Sequence, residues 1–346
     1  MIRRTRYAKK MNKHPASNKN RFYPLLVLLL LALFSAGCGR KMPEQKLARI
    51  TIAFQDWVGY GLFYLAQEKG FFQAEGLEIV FIDEQLDSAR RDAFKQGMLD
   101  CEAGTIDLLV SKAALDTPVA TVMEIDRSFG SDGIAAAENI TKLEDLINKK
   151  IAFSRDDVGE TFISYLFLQK GLSLTNVIIV STRPEETAQA FIEGRADACV
   201  TWEPYLSQAL QKPGAHLLTS SREHPDIIVD TLNVRKDLIE HDPGLVKKLM
   251  RGWFKALKFY REQPKEGSEI IAKYYKIAPG QYRKQVEGLK WIEYPEQQSP
   301  AKCNEWVEVF NKVADLKQMN GRISQKPEAS RFLNHTLLEK LYEISR

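Results

Sequence analysis

Histidine is scarce in this chain, and His14, His216, His224, His241 and His335 stand too far apart in sequence to suggest a paired metal site. There is no Gly-x-Ser-x-Gly nucleophile turn, no Gly-x-x-x-x-Gly-Lys phosphate loop and no His-Glu-x-x-His pair, so hydrolase, nucleotide-hydrolysing and metalloprotease readings lack their reacting groups. Gly59-Tyr-Gly61 opens a helix-like stretch but lacks a third glycine, and a dinucleotide fingerprint fails. No cofactor and no metal are expected, and the chain does not read as an enzyme. Cysteine is also sparse. Apart from Cys38 in the leader, Cys101, Cys199 and Cys303 form an odd, widely spaced set, which is no disulfide framework. Cys101 and Cys199 lie in strand-like runs and read as small buried hydrophobes, with one bridge among the three left open. Solenoid-period repeats and low-complexity tails are absent as well.

The charge excess is local. Formal net charge is +4, yet residues 1–37 hold eight Lys or Arg and no acid, leaving 41 basic against 45 acidic residues in the remainder. No nucleic-acid surface is called for. The same leader carries an apolar run from Tyr23 to Phe34 and the small residues Ser35-Ala36-Gly37 before Cys38. Such a run is short for a membrane span and has the length of a signal-peptide apolar region. The chain is expected to be exported, with residues 1–37 removed and residues 38–48 serving as a tether.

Downstream, the chain of 346 residues is long enough for two domains, and its pattern alternates strand and helix. Strands read at Arg49–Phe54, Leu77–Ile82, Leu99–Ala103 and Pro118–Ile125, with helices between them; Gly70 reads as the stop of the first. Asp126-Arg-Ser-Phe-Gly-Ser-Asp-Gly133 has the composition of a turn or linker. The alternation then restarts with strands at Ile134–Ile140, Lys150–Ser154, Val177–Ser181 and Ala198–Val200, and helices at Leu143–Asn148, Asp157–Lys170 and Glu185–Glu193. Asp157 to Glu160 fits a capping box. Asp226–Val234 is strand-like; if it returns to the first sheet, the chain crosses between halves twice. From Asp242 onward helices read at 243–262, 264–275, 279–290, 300–317 and 327–344, and Pro243 suits a first helical position.

Residues able to hold a ligand collect where strands end and helices begin, the end of an open α/β sheet that faces its crevice. In the first half these are Trp57, Tyr60 and Thr105; in the second they are Asp132, Asp157, Val158, Trp202 and Glu203, and Asp230 joins them from the later strand. An indole beside a carboxylate suits a ligand with a flat or cationic part. Trp202 reads equally well as a core aromatic, and Glu203 as an acid complementing a helix start.

Trp57-x-Gly-Tyr60 followed by Leu65-Ala66, the Asp126-x-Ser-x-Gly-x-Asp-Gly133 segment, Thr201-Trp-Glu-Pro204 and Val229-Asp230 resemble the extracytoplasmic solute-binding proteins of ABC importers. The branch is that of nitrate, sulfonate and taurine binders related to thiamine-pyrimidine-precursor binders, and the likeness covers roughly residues 49–262. Phe-Ser-Ala-Gly-Cys38 resembles the lipobox of bacterial lipoproteins, with Ser35 where leucine is usual. The resemblance implies an α/β, type II periplasmic-binding-protein-like fold with two parallel-rich sheets, two crossings and a helical C-terminal extension. Lobe I would be 49–126 and 222–346, and lobe II 127–221. It also implies a lipid-anchored monomer that closes on one small solute and delivers it to a membrane permease with its ATPase. The alternatives are a sensory binding protein and, against export, a pyrimidine-precursor synthase-like enzyme.

On ligand charge the residues disagree. Helix starts at Tyr60, Thr105 and Val158 favour an anion, whereas Asp132, Glu203 and Asp230 repel one. An amine-bearing solute, zwitterionic like taurine or aminopyrimidine-like, satisfies both better than bare nitrate. The anchor is testable directly: the Cys38→Ser variant is expected to leave the membrane fraction on cell fractionation, and its retention there would contradict lipidation.

Overall fold

The structure is a computed structural model that describes residues 47–84 and 86–342. The leader and Cys38 lie outside the described residues. Two sheets organise the chain. The first has strand order β11-β4-β10-β3-β1-β2 and the second β7-β6-β8-β5-β9. Their strands are β1 (Ala48–Phe54), β2 (Leu77–Ile82), β3 (Cys101–Thr105), β4 (Val119–Ser128), β5 (Asp132–Ala137), β6 (Lys150–Phe153), β7 (Ile178–Ser181), β8 (Ala198–Trp202), β9 (Ala215–Ser220), β10 (Val229–Arg235) and β11 (Leu289–Trp291).

Both sheets are mixed. β1 runs parallel to β2 and β3, and β6 parallel to β7 and β8, as helix-linked crossovers require. β10 returns to the first sheet and inserts antiparallel between β3 and β4, while β5 lies antiparallel between β8 and β9. Central strands are apolar on both faces: Ile50, Ile52, Val122, Ile125, Ile134 and Ala152 are fully buried.

Several local expectations change. The Asp126–Gly133 segment carries the crossing between the sheets, but most of it is strand: β4 continues through Ser128 and β5 begins at Asp132, leaving Phe129–Ser131 as the connection. Its acids are held in strands by partners distant in sequence, described below. Asp157 caps its helix by accepting from the Val158 amide at 2.8 Å, and the Glu160 carboxylate instead accepts from the Asp156 amide at 2.7 Å and pairs with Arg322, so the capping box does not close. The helix expected at 279–290 stops at Val286, because Leu289–Trp291 pairs with the edge of β4. Of the helix expected at 327–344, the described residues up to 342 are mostly irregular: Thr121 pairs with the backbone of Phe332 and Asn334 at 2.8 Å each, which draws the stretch along β4, and among these residues only Thr336–Glu339 coils into an α-helix. Leu143–Leu146 is a single 3-10 turn.

Buried ions tie the halves. Beneath β3, Glu102 is fully buried between Arg90 at 2.5 Å and Lys112 at 2.9 Å. The long helix Pro300–Met319 packs along both halves. Its Trp306 donates to Glu124 in β4 at 2.7 Å, and its buried Lys317 pairs with Asp107 at 3.4 Å and with Asp156, beside the second sheet, at 2.7 Å. Removing one partner of a buried pair strands the other charge, at a cost of about 3 kcal/mol or more. Lys317→Met is therefore expected to lower unfolding stability by about 3 kcal/mol; an unchanged urea midpoint would show that the ion pairs contribute nothing.

Candidate functional site

β1 ends at Phe54, and the chain turns through Gln55, Asp56 and Trp57 into a 3-10 turn, Val58–Tyr60, which leads directly into the helix Gly61–Glu68. Distant aromatics hold this turn. The carbonyls of Trp57, Val58 and Gly59 accept in succession from the Tyr275 hydroxyl, the Tyr282 hydroxyl at 3.0 Å and the Trp291 indole at 2.8 Å. Gly59 is required by close approach: a Cβ there would lie 2.2 Å from Asp126 Oδ2 and 2.3 Å from Trp57 Nε1.

The turn is positioned over buried acids. Trp57 Nε1 donates to both Asp126 oxygens, at 3.1 and 3.2 Å, and the Tyr60 hydroxyl donates to Asp230 Oδ1. Because β10 runs antiparallel to its neighbours, its first residues reach the carboxyl ends of β1 and β3, and Asp230 stands opposite both Asp126 and Thr105. In the second sheet Asp132 opens β5 directly opposite Trp202, the last residue of β8. Trp202 reaches across the gap, donating its indole N–H to the Asp56 carbonyl at 2.9 Å, and Tyr205 donates to the Asp56 carboxylate at 3.1 Å.

Trp57, Tyr60, Thr105 and Asp230 from the first half thus meet Asp132, Val158 and Trp202 from the second around one cavity. Gln55 and Ile228 line it too. Neither was expected, since an amide at a strand end and an apolar residue before a strand carry no distinguishing sequence signal. The cavity is narrow, with room for about one water.

Two expected residues take other places. Glu203 is not among the described lining residues; its carboxylate accepts from the Ser207 hydroxyl at 2.7 Å and from Gln285 at 3.1 Å. Asp157 lies behind the wall, accepting from the Gln55 amide at 3.0 Å as well as from Val158. Thr105 precedes its helix as expected, but its hydroxyl donates to the Asp107 carboxylate. Cys101, Cys199 and Cys303 are free, the first two buried.

Burial dominates the electrostatics. It pushes Asp126 and Asp132 well above the usual carboxylate range, with neighbouring Asp230 adding to both. Asp230 rises to about 7, chiefly through burial and against the Tyr60 hydrogen bond, and Asp157 to about 6.

A model of the family described as NMT1/THI5 like matches residues 58–267, over half of the chain. The chain belongs to that family. A relative, a putative aliphatic sulfonates-binding protein of Bacillus subtilis, is 26% identical over 331 residues, spanning 92% of this chain and 96% of its own length. Among solved structures, the alkanesulfonate-binding protein SsuA from Xanthomonas axonopodis pv. citri bound to MOPS superposes with a TM-score of 0.72 at 14% identity, over 84% of this chain and 99% of its own. The desulfurization enzyme DSZB superposes with a TM-score of 0.60 at 15% identity, over 86% and 100% respectively. These likenesses show that this NMT1/THI5-like chain has the periplasmic-binding-protein fold, a fold that carries binders and an enzyme alike.

In this family member the acids make a stability prediction. An acid whose pKa rises on folding binds a proton that the unfolded chain releases, so it favours the folded state at low pH. For Asp230 that contribution is full below its ordinary 3.8 and is lost as pH climbs through about 7. The difference in melting temperature between Asp230→Asn and the parent is therefore expected to grow in favour of the variant from pH 5 to pH 8. A pH-independent difference in thermal melts would refute the assignment.

Proposed function

We propose that this chain is the solute-binding component of an ABC-type import system, capturing a small nitrogen- or sulfur-containing organic solute between two lobes. The lobes are built on the two sheets, the first from the segments on either side of residues 129–228 together with the C-terminal helices. Export, anchoring through Cys38, a monomeric state and delivery to a permease and its ATPase belong to the same reading. The observation that carries it is the shared cavity: strand-end residues of both sheets line one gap, so a ligand touching Trp57 or Asp230 on one side and Trp202 or Asp132 on the other favours the closed arrangement by its differential contacts. The family's named sulfonate binders support it.

A reaction at this site has less support. The described lining residues include no cysteine, serine or histidine, and the one hydroxyl besides tyrosine, on Thr105, is committed to Asp107. Burial pushes the Cys199 thiol up to about 12 and raises the Cys101 thiol well above its ordinary value, which removes the thiolate that nucleophilic chemistry needs. Among the described residues no helix is long and apolar enough to cross a membrane.

The purified protein is expected to bind one member of a panel of small amines, sulfonates and pyrimidines. A cognate solute at about a hundred times its dissociation constant stabilises by about 2.7 kcal/mol, which a thermal-shift assay reads as a raised melting temperature. Deletion of the gene should abolish uptake of that solute. Unchanged uptake in the deletion strain would remove transport from the reading.

A further inference from the structure

The cavity's hydrogen-bonding inventory is one-sided. Each lining side chain that carries a donor already donates within the chain: Gln55 to Asp157, Trp57 to Asp126, Tyr60 to Asp230, Thr105 to Asp107 and Trp202 to the Asp56 carbonyl. The amide of the lining residue Val158, at the start of its helix, is taken by Asp157. On the acceptor side, Asp132 and Asp230 are 5% and 1% exposed, and each has one carboxylate oxygen, Oδ2, with no hydrogen-bond partner. No lysine or arginine is among the described lining residues. Arg127, a few residues before Asp132, is engaged elsewhere by Glu124, Glu305 and Asp226, and Arg155, just before Val158, lines a separate surface pocket with Asp87 and Arg91.

An unpartnered buried acceptor is costly, and a buried carboxylate needs a cation or a proton. We propose that the cavity binds a small organic cation, a protonated amine or amidine on a compact or flat apolar body, which donates to Asp132 Oδ2 on one side and Asp230 Oδ2 on the other. This rests on the receptor reading above and narrows its ligand.

Three further observations agree. Trp57, Tyr60 and Trp202 spend their polar hydrogens away from the ligand position, so what they offer the cavity is ring surface, which attracts cations. A sulfonate would bring three acceptor oxygens against two acids and find no uncommitted side-chain donor of positive charge. Tyr60 and Asp126 contact Asp230 directly, and Asp107 and Glu124 act on it at longer range, so a cation entering here relieves repulsion among acids and displaces a proton.

The test uses the full-length protein and four probes, ethylammonium, benzamidinium, ethanesulfonate and taurine, in titration calorimetry with thermal shift. At least one of the two cations is expected to bind and ethanesulfonate is not. Asp132→Asn and Asp230→Asn should each weaken the cation at least tenfold while still melting cooperatively. Calorimetry of the parent protein in buffers of different ionisation enthalpy should show proton release near pH 6.5, a readout independent of whether the variants fold. Binding of ethanesulfonate or taurine without binding of either cation would overturn the cation assignment and leave the receptor reading standing. Cation binding without proton release, or unaffected by both substitutions, would overturn the assignment to these carboxylates. Silence from all four probes would count against both.

Discussion

A carboxylate withdrawn from water needs a donor, a cation or a proton, and this requirement shapes the cavity end of the first sheet. Asp126 obtains the indole of Trp57 and Asp230 the hydroxyl of Tyr60. Those two bonds fix the turn after β1, and with it the direction in which the following helix leaves the sheet. Tyr275, Tyr282 and Trp291 then secure the turn's carbonyls from the far side. Elements more than two hundred residues apart thus meet at one strand end, and the C-terminal region becomes part of the cavity's support.

The same molecule solves the same problem differently a short way off. Glu102 is as deeply buried as Asp230 but lies between Arg90 and Lys112, and Glu124 has Arg127 and Lys302. Cations are therefore available to the fold and are placed beside its structural acids. The cavity acids receive neutral donors instead, which leaves them part of their charge or their proton to exchange. That contrast separates the acids that hold the fold together from those that face the space between the sheets.

Much of this was legible in the chain. Trp57, Tyr60, Thr105, Asp132, Val158, Trp202 and Asp230 stand at strand boundaries, and boundaries are written locally by glycine, proline and the change of apolar period. What local pattern does not contain is the partner. Glu203 sits at the expected strand end, yet its orientation is decided by Gln285, 82 residues away. Asp126 and its neighbours have the composition of a turn, and only Trp57 makes a buried acid tolerable within β4. Leu289-Lys-Trp291 is three residues long and becomes a strand only because β4 has an edge to offer. The tail after residue 327 has helical composition but spends the Asn334 amide and the Phe332 carbonyl on Thr121.

Lys317 has a mechanical consequence. It belongs to the long C-terminal helix yet grips Asp107 near the first sheet and Asp156 near the second, while the chain itself passes between the sheets at residues 129–131 and again at 221–228. A rotation leaves unmoved only the points on its axis. Any swing of one sheet against the other that preserves these ion pairs must therefore pivot on a line running close to Lys317.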